Sequence, residues 1–125
     1  MNKGLRIVVG ILALVFALIG LRWLVDPAGA AGELGMPLLD GPGRSAQIGD
    51  MGSFFLSVAL FILLALTTGR RSWYYPPIIL LTVTAFMRTI AWIFHDASLA
   101  LDMIAVEIIV SVILYVASSK LSEQD

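Results

Sequence analysis

Residues 76–117, PPIILLTVTAFMRTIAWIFHDASLALDMIAVEIIVSVILYVA, form two long apolar segments with one charge near the middle of each. Arg88 is the charge in the first segment and Glu107 is the charge in the second. Either charge would cost several kcal/mol if it stood alone in hydrocarbon. The two helices are joined by a short connection near residues 95–98. At about 1.5 Å per helical residue, Arg88 lies ~10 Å and Glu107 ~13 Å from the helix ends at this connection, so the two charges lie at similar depth. We therefore predict that the two side chains pair, either as a structural clip or as the floor of a site.

The rest of the chain is equally apolar. Its 125 residues are 59% hydrophobic and 14% charged, where a soluble domain carries about 25% charged residues, and the mean hydropathy is +0.95. Four apolar runs each approach the ~20 residues needed to cross a bilayer. The prediction is an all-α membrane protein, a single domain over residues 1–125, folded as a four-transmembrane-helix antiparallel bundle. Its helices are expected at about residues 5–25, 48–68, 74–95 and 98–118.

The first apolar run also needs comparison with a signal peptide, because Ala28-Gly29-Ala30 resembles a cleavage site. The run is longer than the usual apolar region of a signal peptide, and Arg22 and Asp26 separate it from the small residues. We therefore expect an uncleaved membrane helix.

Positive charges indicate the orientation, because Lys and Arg near the ends of spans stay cytoplasmic. With a cytoplasmic N-terminus, the opposite side holds only Arg22 and Arg44, and the cytoplasmic side holds Lys3, Arg6, Arg70, Arg71 and Lys120. We expect a multi-pass protein with both termini in the cytoplasm.

One long outer connection, residues 26–47, separates the first two spans. Its three prolines and many glycines forbid a continuous helix, and its leucines make it apolar. We predict that it packs over the outer mouth of the bundle as a lid or a short interfacial helix, with Arg44 directed toward Asp50 or another buried carboxylate. Loops of this length are often functional.

Five polar residues are candidates for lining one outward-facing cavity and binding a ligand there: Arg44, Asp50, Arg88, His95 and Glu107. Simpler explanations stand beside this one. His95 suits an interfacial hydrogen-bonding group, and the stripe Gly49, Ser53 and Ser57 beside Asp50 suits close helix packing. No spacing among the five matches a metal, phosphate or nucleophile motif, so no metal or cofactor is expected.

Composition excludes other classes of function. The net charge of −1 and the absence of a basic stripe argue against nucleic-acid binding. The chain has no cysteine, which excludes disulfides and thiolate chemistry.

Many short motifs of this chain resemble an uncharacterised bacterial family of small four-span inner-membrane proteins, classified as a domain of unknown function. The resemblance covers most of the chain and is carried by Trp23 with Asp26-Pro27, Ala30-Ala31, Leu34-Gly35, Gly43-Arg44-Ser45, Ile48-Gly49-Asp50, Phe54-Phe55, Arg88 with Ala91-Trp92, His95 and Glu107. It implies a four-helix protein of the bacterial inner (plasma) membrane, and it implies no activity.

Three functions compete at this point. The first is a non-enzymatic scaffold or accessory subunit, with membrane lipids, further copies of itself or a membrane subunit as partners. The second is binding or transport of a small or lipid-like ligand in the outward-facing polar cavity. The third, an intramembrane enzyme using His95 or Glu107 as acid or base, is disfavoured because no nucleophile is recognisable.

Overall fold

The computed structural model describes residues 2–123, and this part of the chain is helical with no strand. The helices are α1 (Lys3–Val25), α2 (Pro27–Glu33), α3 (Gly41–Ala46), α4 (Gly52–Thr68), α5 (Tyr75–Phe94) and α6 (Leu101–Lys120). A π-helical turn, Gln47–Met51, joins α3 to α4 without a break, and a 3-10 turn, Arg71–Tyr74, leads into α5.

Four of the helical stretches are long and apolar enough to cross a membrane, which confirms the prediction of an all-helical chain with four such spans. They are Lys3–Val25, Gly41–Thr68, Arg71–Phe94 and Leu101–Lys120. The second begins at Gly41 rather than at residue 48. Pro42 causes no break there, because a proline in the first helical turn has no N–H to leave unpaired.

Glycine brings α1 and α4 into backbone contact. A Cβ on Gly20 would lie 2.9 Å from the backbone nitrogen of Leu56, and one on Gly52 would lie 3.3 Å from Cβ of Trp23. Small residues commonly allow such close approach between membrane helices. The predicted stripe of Gly49, Ser53 and Ser57 is not the face used, because nothing lies within 4 Å of a Cβ on Gly49.

The start of α1 lies beside the ends of two other helices. The Asn2 side chain donates a hydrogen bond to the carbonyl of Lys120 at 2.8 Å, and Arg6 Nη2 donates to the carbonyl of Leu66 at 3.1 Å. Contacts run from α1 to α4, from α4 to α5, from α5 to α6, and from α6 back to α1. The four long helices therefore form a closed ring around a common core.

The connection predicted as one long loop is largely helical. Asp26 caps α2 by accepting a hydrogen bond from the Gly29 amide at 3.2 Å, and α2 buries Ala30 and Ala31 against Trp23. The segment thus folds back onto α1 through a short helix, one of the two forms predicted for it. From Pro27 to Gln47, only residues 34–40, between α2 and α3, are not helical.

Gln47 holds this non-helical segment in place. Its Oε1 accepts a hydrogen bond from the Leu39 amide at 2.8 Å, and its Nε2 donates to the Pro37 carbonyl at 3.0 Å. The side chain is buried, so these bonds also satisfy polar atoms that water would not reach.

Candidate functional site

A cavity of about 610 Å³ lies among α1, α4, α5 and α6, with α2 at one end. We call it the interhelical cavity. Leu12, Leu81 and Val110 line its apolar end, from α1, α5 and α6 respectively. Its opposite, charged end contains Arg22, Glu33, Arg88, Asp102 and Glu107.

Polarity changes in the same direction along the helices that line the cavity. On α1 the lining residues run from Leu12 to Arg22, and on α6 they run from Val110 to Asp102. At a rise of about 1.5 Å per residue, these intervals span about 15 Å and 12 Å. The cavity therefore has the polarity profile of an amphipathic molecule of comparable length.

Arg88 and Glu107 form the predicted pair at the charged end. Arg88 Nε lies 3.2 Å from Oε1 and 3.1 Å from Oε2 of Glu107. The Arg88 side chain is 30% exposed and that of Glu107 is 10% exposed, so the pair is partly accessible from the cavity. The prediction that these charges meet between the last two spans is confirmed.

The pair uses only part of the Arg88 guanidinium. Both hydrogen bonds to Glu107 come from Nε, and neither Nη1 nor Nη2 is hydrogen-bonded to any residue between 2 and 123. A guanidinium offers five N–H donors, of which the two terminal nitrogens carry four. Arg88 is therefore both a structural partner of Glu107 and a hydrogen-bond donor that remains available.

Trp23 is a further unsatisfied donor in the lining. Its side chain is fully buried, and its indole Nε1 has no hydrogen-bond partner in the described part of the chain. A buried N–H without a partner costs about 1–3 kcal/mol. Because Nε1 itself is buried, an acceptor in the cavity would reach it only if the packing around Trp23 changed.

Two ion pairs attach α2 at the charged end. Arg22 lies 3.5 Å from Asp26 and 3.5 Å from Glu33. These side chains are largely exposed, so the pairs stabilise the fold only modestly. They matter for the cavity because they hold α2 folded back toward Arg22, and this places Glu33 at the charged end.

Arg44 pairs outside the cavity, and its predicted direction is wrong. Its Nη2 lies 3.2 Å from Oδ1 of Asp40, which is fully exposed, and its Nε donates to the Leu39 carbonyl at 2.9 Å. Asp40 stands one helical turn before Arg44, so the two meet locally without crossing to Asp50 or to a buried carboxylate.

Asp50 and His95 also lie outside the lining. Asp50 is exposed in the π-helical turn, where its carbonyl accepts a hydrogen bond from Ser53 Oγ at 3.3 Å. His95 is exposed at the end of α5. Of the five residues predicted to share one cavity, the structure brings together Arg88 and Glu107 and leaves Arg44, Asp50 and His95 elsewhere.

Among the lining residues with a charged group or an N–H donor in the side chain, sequence reasoning missed four: Arg22, Trp23, Glu33 and Asp102. In the sequence, Arg22 indicates only the orientation of a span, and nothing assigns Trp23 to a cavity. The spacing of four between Arg22 and Asp26 signals a local ion pair, but no sequence pattern places Glu33 beside them. Residues 2–123 contain no group of three potential metal ligands.

No protein-family model, no curated protein and no solved structure matches this chain. The resemblance to the four-span bacterial family therefore stays a prediction, and the candidate site is defined by its own geometry.

Proposed function

We propose that the protein binds a lipid-like molecule in the interhelical cavity, with the apolar chain at the apolar end and the polar head at Arg88. The polarity profile of a cavity of about 610 Å³ carries this proposal. Sites for one small molecule commonly have volumes of about 300–1,000 Å³ and combine apolar walls with a few polar groups.

The Arg88 nitrogens that do not bond to Glu107 support ligand binding. If the pair served only to hold α5 against α6, we would expect every N–H of Arg88 to be hydrogen-bonded and the space around the pair to be filled by other side chains. Here the pair borders a cavity, and the terminal nitrogens of Arg88 have no partner within residues 2–123.

The proposal includes an antiparallel bundle in the bacterial inner membrane, with both termini cytoplasmic. The contacts of Asn2 with Lys120 and of Arg6 with Leu66 support the antiparallel arrangement. The distribution of Lys and Arg supports the orientation. In this orientation the charged end of the cavity belongs to the outer half of the membrane.

A second candidate is an oligomeric scaffold or accessory subunit, and a feature of α1 favours it. Six exposed apolar residues alternate at spacings of four and three: Ile7, Ile11, Leu14, Leu18, Leu21 and Val25. This is the repeat by which two helices pack along a common seam. Such a homo-oligomer is compatible with a filled or an empty cavity.

Two matched substitutions on α6 test the binding proposal. Val106 lines the cavity and is 55% exposed, whereas Val112 does not line it and is 56% exposed. Native mass spectrometry of the protein in dodecyl maltoside would count bound dodecanol and dodecyl phosphate. We expect Val106→Trp to reduce binding and Val112→Trp to leave it unchanged. Equal binding by both variants would contradict the proposal, and the same spectra report whether the protein is oligomeric.

A further inference from the structure

Two charged groups at the charged end of the interhelical cavity are left with unused bonding capacity. One is the pair of terminal nitrogens of Arg88, which bind no residue between 2 and 123. The other is the carboxylate of Asp102, which is exposed in the first turn of α6 and within the same range forms no ion pair or hydrogen bond. One is a cationic donor and the other an anionic acceptor, so together they match a head group that carries both charges.

The other carboxylates at this end each lie beside an arginine, although Arg22 is shared between Asp26 and Glu33, so this end carries an excess of negative charge. Glu107 accepts the two hydrogen bonds from Arg88 Nε. Glu33 lies 3.5 Å from Arg22. A purely anionic head would therefore be repelled by the excess of carboxylates around Asp102, and a purely cationic head would leave the terminal nitrogens of Arg88 without an acceptor.

The two unmatched groups also occur in a defined order. Arg88 is bonded to Glu107, and Asp102 precedes Glu107 by five residues on α6. At about 1.5 Å per residue, Asp102 lies about 7–8 Å farther from the apolar end. A ligand whose chain occupies the apolar end therefore meets the guanidinium first and the free carboxylate second.

We propose that the ligand is a zwitterionic amphiphile with its phosphate toward Arg88 and its ammonium group toward Asp102. This inference rests on the proposed function and specifies the chemistry of its head group. The order of groups, from apolar chain to phosphate to ammonium, is that of a phosphoethanolamine or phosphocholine lipid. Arg is well suited to the inner position, because two of its N–H groups can bind two phosphate oxygens at once.

Two synthetic amphiphiles with the same chain and opposite charge order provide the test. Dodecylphosphocholine has its phosphate next to the chain, whereas N-dodecyl-N,N-dimethyl-3-ammonio-1-propanesulfonate has its ammonium there. Bound copies would be counted by native mass spectrometry at equal mole fractions in dodecyl maltoside micelles. We expect dodecylphosphocholine to bind at least about tenfold more tightly, the effect of one charge-assisted hydrogen bond. Equal or reversed affinities would overturn the proposal.

A matched pair of variants tests the outer position. Asp102→Asn removes the free carboxylate, and Asp96→Asn makes the same change at an exposed residue outside the lining. We expect Asp102→Asn to weaken dodecylphosphocholine several-fold and to leave dodecyl phosphate no weaker, while Asp96→Asn changes neither. If both variants bind dodecylphosphocholine like the parent protein, Asp102 does not contact the ligand and the zwitterion assignment is wrong.

The same measurements separate this inference from the proposed function. Absence of binding for dodecanol, dodecyl phosphate and both zwitterions would contradict ligand binding altogether. Binding of dodecanol and both zwitterions with equal affinity would leave the cavity as a ligand site and contradict only the head group.

The source of the ligand is resolved by a further comparison of two probes. Lysophosphatidylethanolamine has one chain, and phosphatidylethanolamine has two. Preferential retention of the first would indicate a free single-chain amphiphile. Equal retention would indicate a bilayer lipid whose second chain stays outside, and retention of neither would count against the proposed head group.

Discussion

Arg88 binds Glu107 through Nε alone, with both carboxylate oxygens 3.1–3.2 Å from that one nitrogen. The pair joins α5 to α6 at the level where the interhelical cavity becomes polar. Because of this geometry, the contribution of each residue to stability depends on the other, while Nη1 and Nη2 of Arg88 remain available as donors.

Substitution of Arg88 and Glu107 should reveal strong coupling. We expect Arg88→Leu or Glu107→Leu to lower the free energy of unfolding by about 1–3 kcal/mol, because each leaves a charge without its partner. The double substitution should cost less than the sum, with a coupling of about 0.5–3 kcal/mol. Reversible unfolding in mixed micelles with sodium dodecyl sulfate measures these values. The exposed pair Arg44 and Asp40 is the control and should show much weaker coupling; additive losses at Arg88 and Glu107 would contradict the expectation.

Gly20 and Gly10 on the same helix should respond oppositely to alanine. A Cβ on Gly20 meets the backbone of Leu56, whereas nothing lies within 4 Å of one on Gly10. We expect Gly20→Ala to destabilise the protein by about 1–3 kcal/mol through overpacking. Gly10→Ala should be neutral or stabilise the helix by about 0.5–1 kcal/mol. The same unfolding assay measures both, and equal effects would mean that α1 and α4 are not in backbone contact.

The pairing of Arg88 with Glu107 was predictable because an isolated charge in hydrocarbon is so costly that few alternatives exist. The packing face of α4 was not. In a membrane helix nearly every residue is apolar, so the sequence contains no polar face that marks the outside and nothing that distinguishes Gly49 from Gly52 as the packing residue. In soluble proteins such predictions depend on the contrast between an apolar buried face and a polar exposed face, and helices surrounded by hydrocarbon lack this contrast.

The position of α2 was also beyond sequence reasoning. The sequence predicts a lid or a short interfacial helix somewhere in residues 26–47, and in the structure Pro27 starts a helix that Asp26 caps. The return of α2 toward α1 depends on the packing of Ala30 and Ala31 against Trp23. Tertiary contacts of this kind decide which residues line the cavity, and therefore Glu33 could not be assigned to it in advance.

Gln47 provides a test of the segment between α2 and α3. We expect Gln47→Ala to accelerate hydrogen exchange at the Leu39 amide, because that amide donates to the Gln47 side chain. Gln47→Glu retains the acceptor and loses the donor to the Pro37 carbonyl, so Leu39 should stay more protected than in the alanine variant. Exchange followed by NMR in micelles resolves this amide. Identical rates in the parent protein and both variants would exclude the bond as a structural restraint.

Single cysteines can establish the orientation, because the chain contains none of its own. We expect a cysteine at Ser122 to react only with a membrane-permeant maleimide in intact cells. One at Gly41, which is exposed, should also react with an impermeant reagent added from outside. Labelling of Ser122→Cys by the impermeant reagent would reverse the assignment of the termini.

The unbroken join between α3 and α4 has a mechanical consequence for the surrounding bilayer. The stretch Gly41–Thr68 has 28 residues and α6 has 20, so the two measure about 42 Å and 30 Å in length. A typical hydrocarbon layer is about 30 Å thick, which α6 matches and the longer helix exceeds. The longer helix must therefore tilt, or its first turns must stand among the lipid head groups, where the exposed charges of Asp40 and Arg44 are hydrated. The apolar surface that lipids contact is consequently longer on the side of α4 than on the side of α6. Either the bilayer is locally thicker beside α4, or the protein is tilted in the membrane.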